Sequence, residues 1–497
     1  MNDPKRSLTP LVISAAMVLA VLGATHWHAG TWRAQVSAQS TEQAEARKSS
    51  STQVPDQPVR TSRKASKRQS AGFGRLDLRL GVRSPTGSGI VAGHVEGVVG
   101  DYMPRRKGRY FAGVTMYGRS GTSKINSHTE ATARIIYGHK GLAPGIDKVH
   151  LFSISDFLGP KLLGVGSAQP PRTSDIDLFN HSWISRDRLN TADVLRRIDY
   201  VVDTQDAIMV VGVDNLRQST VPEILASAYN VIAVGQGKGR SSGGYTQVEG
   251  SGRCKPDVVA PGRLTSYSTP VVTAAAARLL ETAGRHLAQA DRDKARRAEV
   301  IKAVILAGAT KPHNWQPEPG KPLDKHLGAG QIDVDRSQAI LAAVATGVGG
   351  IDLRPGWAFE PLPAGTWHSY KLESDKPLGS LSVVLVWHRR VRGVLDKIDG
   401  DYQLRWLPRS LLADLDLQLL ARDRQGNRRV VAQSLSKIDN VEHLYFTALE
   451  AGCYRLIVHR RDSYEQDWDY ALAWWIDPAK AGGAGNPADP GEQVTVP

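Results

Sequence analysis

The sequence predicts an α/β fold built on a parallel sheet, followed by an all-β sandwich, and three observations lead there. First, runs such as GSGIVAGHVEGVV (87–99), AIMVVGVDN (207–215) and NVIAVG (230–235) are continuously apolar. Strands buried on both faces of a parallel sheet have that character, and here they alternate with helical stretches. Second, KPDVVAPG runs straight into RLTSYSTP (255–270), taking a short strand through Ala-Pro-Gly to Ser266 at the mouth of the helix that VVTAAAARLL begins. Third, beyond residue 350 the apolar period changes to two, in LSVVLVWH (381–388), DLDLQLLAR (414–422), VEHLYFTAL (441–449), CYRLIVHR (453–460) and DYALAWWID (469–477). Turn residues such as Arg424-Gln425-Gly426-Asn427 separate these strands, as in a sandwich.

In chain order, Lys5 and Arg6 precede LVISAAMVLAVLGA (11–24), an apolar stretch of 14 residues. A bilayer-spanning helix needs about 20. Residues 1–38 therefore read as a secretory signal with Val36-Ser37-Ala38 as the cleavage site, or else as an uncleaved anchor. Either reading takes the chain out of the cytoplasm, as a secreted or periplasmic protein of the cell envelope. Residues 39–74 are Ser-, Gln-, Lys- and Arg-rich and are expected to be a disordered basic linker. A catalytic domain is placed at 75–345, the β-sandwich at 350–478 and a Gly/Pro-rich disordered tail at 479–497.

Chemistry concentrates at four places. Ser266 stands before an apolar helix, where free N–H groups and the helix dipole can hold an oxyanion. Pro270 reads as a residue of that helix's start, where its missing N–H costs nothing. His128 begins a second short helix, with Ala131, Ile135 and Ile136 expected to face inward. Glu96 lies inside an apolar strand, and a carboxylate there is costly unless paired; orienting an imidazole is one such pairing. Asn215 ends another buried strand and can aim its amide at a developing negative charge.

These motifs resemble those of the subtilisin-like serine peptidases, the subtilase family. That family's His-Gly-Thr-His-Val-Ala-Gly…Ala-Pro-Gly segment aligns without gaps with His128 to Gly145, and its Gly-Thr-Ser-x-Ala-x-Pro motif with Leu264 to Pro270. Val213-Asp214-Asn215 matches its strand ending in Ala-Gly-Asn, and Asn180-His181-Ser182-Trp183-Ile184 echoes its substrate-strand motif. GAGQID (328–333) resembles the turn that closes the family's catalytic domain. The resemblance spans roughly residues 75–345 and keeps the family order. It implies a subtilisin-like catalytic domain with Glu96, His128 and Ser266 as acid, base and nucleophile and Asn215 at the oxyanion. It also implies Asn180, Ser182 and Trp183 beside a protein or peptide substrate. The acid, base and nucleophile are expected within hydrogen-bonding reach of one another.

The departures are specific. Glu96 replaces the usual Asp, Thr129 the glycine after the histidine, and Leu264 the glycine before Thr265. Trp183 and Ile184 stand where small residues would line the primary pocket and are expected to narrow or block it. The second reading these changes raise is a catalytically impaired scaffold, exported as a binding protein.

The C-terminal strands resemble the jelly-roll domain that follows the catalytic domain in some subtilases. Asp414, Asp416, Asp439 and Glu442 offer oxygens that could gather around a structural calcium; the chemistry itself needs no cofactor. Two cysteines, Cys254 and Cys453, fall in different proposed domains, and no Cys/His cluster suggests zinc or redox work. Net charge is +14, from 63 Lys+Arg against 49 Asp+Glu. No recognised reader accompanies the basic residues, which excludes a nucleic-acid role and leaves acidic substrates or anionic surfaces. The chain is expected to work as a monomer, touching membrane only through an uncleaved N-terminus. One rival nucleophile is Ser241 in Gly239-Arg240-Ser241-Ser242-Gly243, a GxSxG pattern that lacks the helix such an elbow needs.

Overall fold

The computed structural model describes residues 66–97, 101–186, 190–286, 288–351, 353–398, 401–422 and 427–478. The signal or anchor, its cleavage site, most of the linker, the turn at 424–426 and the tail lie outside the described residues. Among the described residues no helix is long and apolar enough to cross a membrane.

Seven parallel strands form the central sheet: β1 (Val91–Glu96), β2 (Thr115–Gly118), β3 (Lys148–Ser153), β4 (Leu178–His181), β5 (Ile208–Gly212), β6 (Ile232–Gln236) and β9 (Val258–Ala260). The small hairpin β7 (Gly244–Tyr245) and β8 (Cys254–Lys255) stands apart from the sheet, whose strand order is β2-β3-β1-β4-β5-β6-β9. Every residue of β4, β5, β6 and β9 is buried, as their unbroken apolar runs require. The helices are α1 (Lys67–Ser70), α2 (Phe73–Leu80), α3 (Ser127–Ile136), α4 (Ile154–Leu158), α5 (Thr191–Gln205), α6 (Thr265–His286), α7 (Gln289–Arg296), α8 (Ala298–Gly308) and α9 (Val334–Leu341).

Two expectations need correction at this level. The linker does not extend to 74, because α1 and α2 are ordered against the domain. Ser66 and Gln69 form a capping box at the start of α1, and Phe73 and Leu76 are fully buried. The polar composition of 39–74 hid this local signal. Likewise α6 begins at Thr265, so Pro270 is its sixth residue and not part of its first turn. On α3 the buried face is Thr129, Thr132, Ala133 and Ile136, whereas Ala131 and Ile135 are only half-buried.

The second half is a β-sandwich. One sheet runs β10 (Gly349–Gly350), β12 (Trp367–Ser374), β19 (Gly452–Arg460), β16 (Leu415–Arg422), β17 (Arg428–Ser434); the other runs β11 (Gly356–Leu362), β20 (Trp468–Pro478), β13 (Leu378–Trp387), β18 (Val441–Phe446). Trp357, Trp387, Trp468 and Trp474 are fully buried between and beside them. A long hairpin, β14 (Arg390–Ile398) and β15 (Asp401–Leu411), leaves the sandwich and returns to the α/β domain. There Trp406 Nε1 donates to Asp193 at 2.6 Å.

The two domains share a core. All eleven residues of α8 are buried, which a helix achieves only when covered on every side. It packs against both β13 and β20. Beside it Arg389 pairs with Asp199 and Glu249, each at 2.7 Å. The cysteines do not bridge: Cys254 donates to the Leu323 carbonyl and Cys453 to Glu373, both at 3.2 Å.

Candidate active site

A parallel sheet gathers function at the carboxyl ends of its strands, and the sequence-predicted residues lie there. Glu96 is the last residue of β1, Asn180 lies near the end of β4, Asn215 follows β5, and Ser266 follows β9 at the start of α6. Gly97, at φ 77°, turns the chain directly after Glu96. Gly262 allows the close turn into α6, since a Cβ there would lie 2.8 Å from the Ser268 amide nitrogen.

His128 is the second residue of α3. Asn126 caps that helix, its side-chain oxygen accepting from the N–H groups of His128 and Thr129 at 2.9 and 3.0 Å. The imidazole Nδ1 donates to the buried Glu96 carboxylate. An acid accepting at Nδ1 fixes the tautomer and leaves Nε2 as the basic nitrogen. Burial works against the charged imidazole, but the charge and hydrogen bond of Glu96 outweigh it, so its pKa stands above the ordinary value. Beneath, His94 is held neutral, its pKa pushed down to about 3 by burial and by the charge of His128. Its ring nitrogens contact Tyr137 Oη and Thr132 Oγ1, each at 3.1 Å.

Ser266 is partly exposed on the first turn of α6. The first N–H groups of a helix lack intrahelical partners. Here Thr265 N–H donates to Asn215 Oδ1 at 2.7 Å, and Tyr267 and Ser268 N–H donate to the Leu264 carbonyl at 2.9 and 3.2 Å. The Ser266 N–H has no acceptor among the described residues. Thr265 Oγ1 also meets Asn215 Oδ1, at 3.0 Å. Because a backbone N–H can only donate, this contact orients the Asn215 amide and leaves its NH₂ without an acceptor among the described residues.

Pro270 has no N–H to give the Ser266 carbonyl, its helical partner four residues back. Ser182 Oγ donates to that carbonyl instead, at 3.2 Å. Ser182 is held by Asn180 Nδ2 at 3.0 Å, and Asn180 Oδ1 accepts from Thr273 of α6 at 3.0 Å. Asn180 is fully buried and Ser182 nearly so. Both side chains thus brace α6 from below. Trp183 is 9 % exposed, edge-on to His181 at 5.8 Å. Its indole N–H has no partner among the described residues.

The expected triad is brought together in part. Glu96 and His128 are bonded, but no hydrogen bond joins His128 to Ser266 among the described residues. Catalytic contacts often lengthen without substrate. Tyr267, next to Ser266, places its ring 6.1 Å from the imidazole. Leu264 adopts no left-handed φ, so the missing glycine is absorbed without strain. Thr129, in the other glycine position, is buried with its hydroxyl unpartnered. One neighbour escaped the sequence reading: Lys67 of α1 donates to the Tyr267 carbonyl at 3.1 Å and lies 5.3 Å from its ring.

The alternative serines are occupied elsewhere. Ser268 is buried and donates to the Ala260 carbonyl at 2.9 Å. Ser241 is buried, accepts from Gln236 N–H at 2.9 Å, and is followed by strand β7, which removes the esterase elbow. The calcium expectation does not fit either. Asp416 pairs with Arg461 at 2.7 Å, Asp439 accepts from Ser436 at 2.7 Å, and Glu442 accepts from Ser434 and Ser436. The Asp414 backbone N–H donates to Asp462 at 2.9 Å, and no group of three acid, His or Cys side chains is placed to hold a metal among the described residues.

An α/β domain with an acid–imidazole pair and a helix-start serine at the carboxyl edge of its sheet has the make-up of a serine peptidase. Residues 117–330 match the model of the subtilase family, Peptidase_S8, and the chain carries a subtilase-family serine peptidase domain. Among solved structures, a protease from Pseudoalteromonas arctica PAMC 21717 is similar at 14% identity and TM-score 0.34, over 53% of this chain and 93% of that one. MycP1 from Mycobacterium smegmatis is similar at 17% identity and TM-score 0.33, over 54% and 83%. Tripeptidyl peptidase 2 is similar at 12% identity and TM-score 0.29, over 70% and 40%. No curated protein matches the chain.

Proposed function

We propose that this chain is a secreted serine endopeptidase acting through an acyl-enzyme on Ser266. His128 Nε2 takes the Ser266 hydroxyl proton as Oγ attacks the peptide carbonyl, and Glu96 stabilises the imidazolium. The Ser266 N–H and the Asn215 NH₂ hold the tetrahedral oxyanion. His128 then protonates the leaving amine, and water releases the acyl group by the same steps in reverse. Bonds balance at each stage: the Ser266 ester forms as the amide breaks, then yields to water.

The observation that carries this reading is the pair of unused donors. Of the amides opening α6, the Ser266 N–H alone has no acceptor among the described residues, and Asn215 is anchored by its oxygen with no acceptor for its NH₂ among them. The apolar segment at 11–24 supports export. The impaired-scaffold reading draws on the absent His128–Ser266 bond and the unpartnered Thr129 hydroxyl. Casein hydrolysis by the purified chain decides between them. The enzyme reading expects turnover that Ser266→Ala abolishes; a wild-type protein without turnover belongs to the scaffold reading.

A further inference from the structure

The stretch of chain on either side of His128 is strongly basic. Between residues 101 and 140 stand Arg105, Arg106, Lys107, Arg109, Arg119, Lys124, Arg134 and Lys140, against Asp101 and Glu130. All eight cations are exposed. Among the described residues only Arg105 faces an acid, Glu130, at 3.8 Å. The Asp101 carboxylate is spent on the Lys124 backbone N–H at 2.8 Å.

The patch is built onto the catalytic helix. Asn126, the cap of α3, donates its N–H to the Met103 carbonyl at 2.8 Å and its Nδ2 to the Asp101 carbonyl at 2.7 Å. At the other end of α3, His139 N–H donates to the Tyr110 carbonyl at 2.7 Å, and the Arg134 guanidinium lies 3.8 Å over the Tyr110 ring. The segment 103–110 therefore runs along α3 from its His128 end to its far end. A peptide bound beside His128 would lie next to this field.

We propose that the enzyme selects peptides with acidic side chains beside the scissile bond, through Arg105, Arg106 and Lys107. This rests on the peptidase reading above. Single exposed pairs are weak, but several cations of one sign beside a cleft raise the local concentration of an anionic ligand. Salt must then erode the preference, since the Debye length falls from about 10 Å at 0.1 M to about 3 Å at 1 M.

The test compares kcat/KM for three matched peptides whose flanking residues are Glu, Gln or Lys. The Glu peptide is expected to exceed the Gln peptide about tenfold at low salt and to lose that lead near 1 M. Replacing Arg105, Arg106 and Lys107 together by Gln brings the ratio close to one. Replacing Lys371 and Arg428, on the distant sandwich face, leaves it intact. Equal cleavage of Glu and Gln peptides by the wild type overturns the proposal while the peptidase reading stands. So does binding of the patch to phosphatidylserine vesicles with no peptide preference. If none of the three peptides is cut, both fall together.

Discussion

Glu96 and His128 form a pair whose titration has a definite sign. The base must be neutral to accept a proton, so kcat/KM should rise with pH through a pKa above the ordinary histidine value. Glu96→Gln removes the charge that raises this pKa and leaves the burial that lowers it. The acid limb of the pH profile should then move to lower pH. Turnover should drop by up to about 10⁴-fold as the tautomer is lost. A profile unmoved by the substitution would place the titrating base elsewhere. The Glu96–His128 pairing was legible from a carboxylate stranded in an apolar strand and from the spacing that the subtilase resemblance implies. The departures at Leu264 and Thr129 were legible as changes but not in their consequences, because those depend on a backbone φ and on one hydroxyl's neighbours.

Helix α6 shows how an element can be tuned for the residue it carries. Pro270 deprives the Ser266 carbonyl of its helical partner, and Ser182 supplies a substitute. Ser182→Ala should cost about 1 kcal/mol of stability in the parent. In the Pro270→Ala background, where an N–H is restored, the cost should be smaller. Urea midpoints of the four variants measure this coupling; an identical cost in both backgrounds would remove the proposed compensation. From sequence, Asn180 and Ser182 pointed to substrate only through their resemblance to the family's substrate-strand motif. Their true partners, Thr273 and the Ser266 carbonyl, belong to a helix far along the chain. Lys67 escaped for the same reason, being 200 residues from the carbonyl it meets.

At the scale of the whole molecule, the two domains are expected to unfold as one, because α8 packs against both and the Arg389–Asp199 pair joins them. Asp199 is fully buried, so Arg389→Ala leaves a carboxylate without its cation and should cost about 3–5 kcal/mol. Lys325→Ala, which breaks an exposed pair with Glu318, should cost under about 1 kcal/mol. Comparable losses in thermal unfolding would mean the interface pair is not buried as described. The two-domain order was plain in the change of apolar period near residue 350. The β14–β15 hairpin was not, since RVRGVLDKI and DYQLRWLPRSL carry too many charges to read as packed strands. The claim on which the functional account turns is that Ser266 is the activated nucleophile. Fluorophosphonate treatment followed by peptide mapping tests it most directly: the account predicts one adduct, on Ser266, lost in Ser266→Ala and kept in Ser268→Ala. An unmodified protein, or labelling that persists in Ser266→Ala, would contradict it.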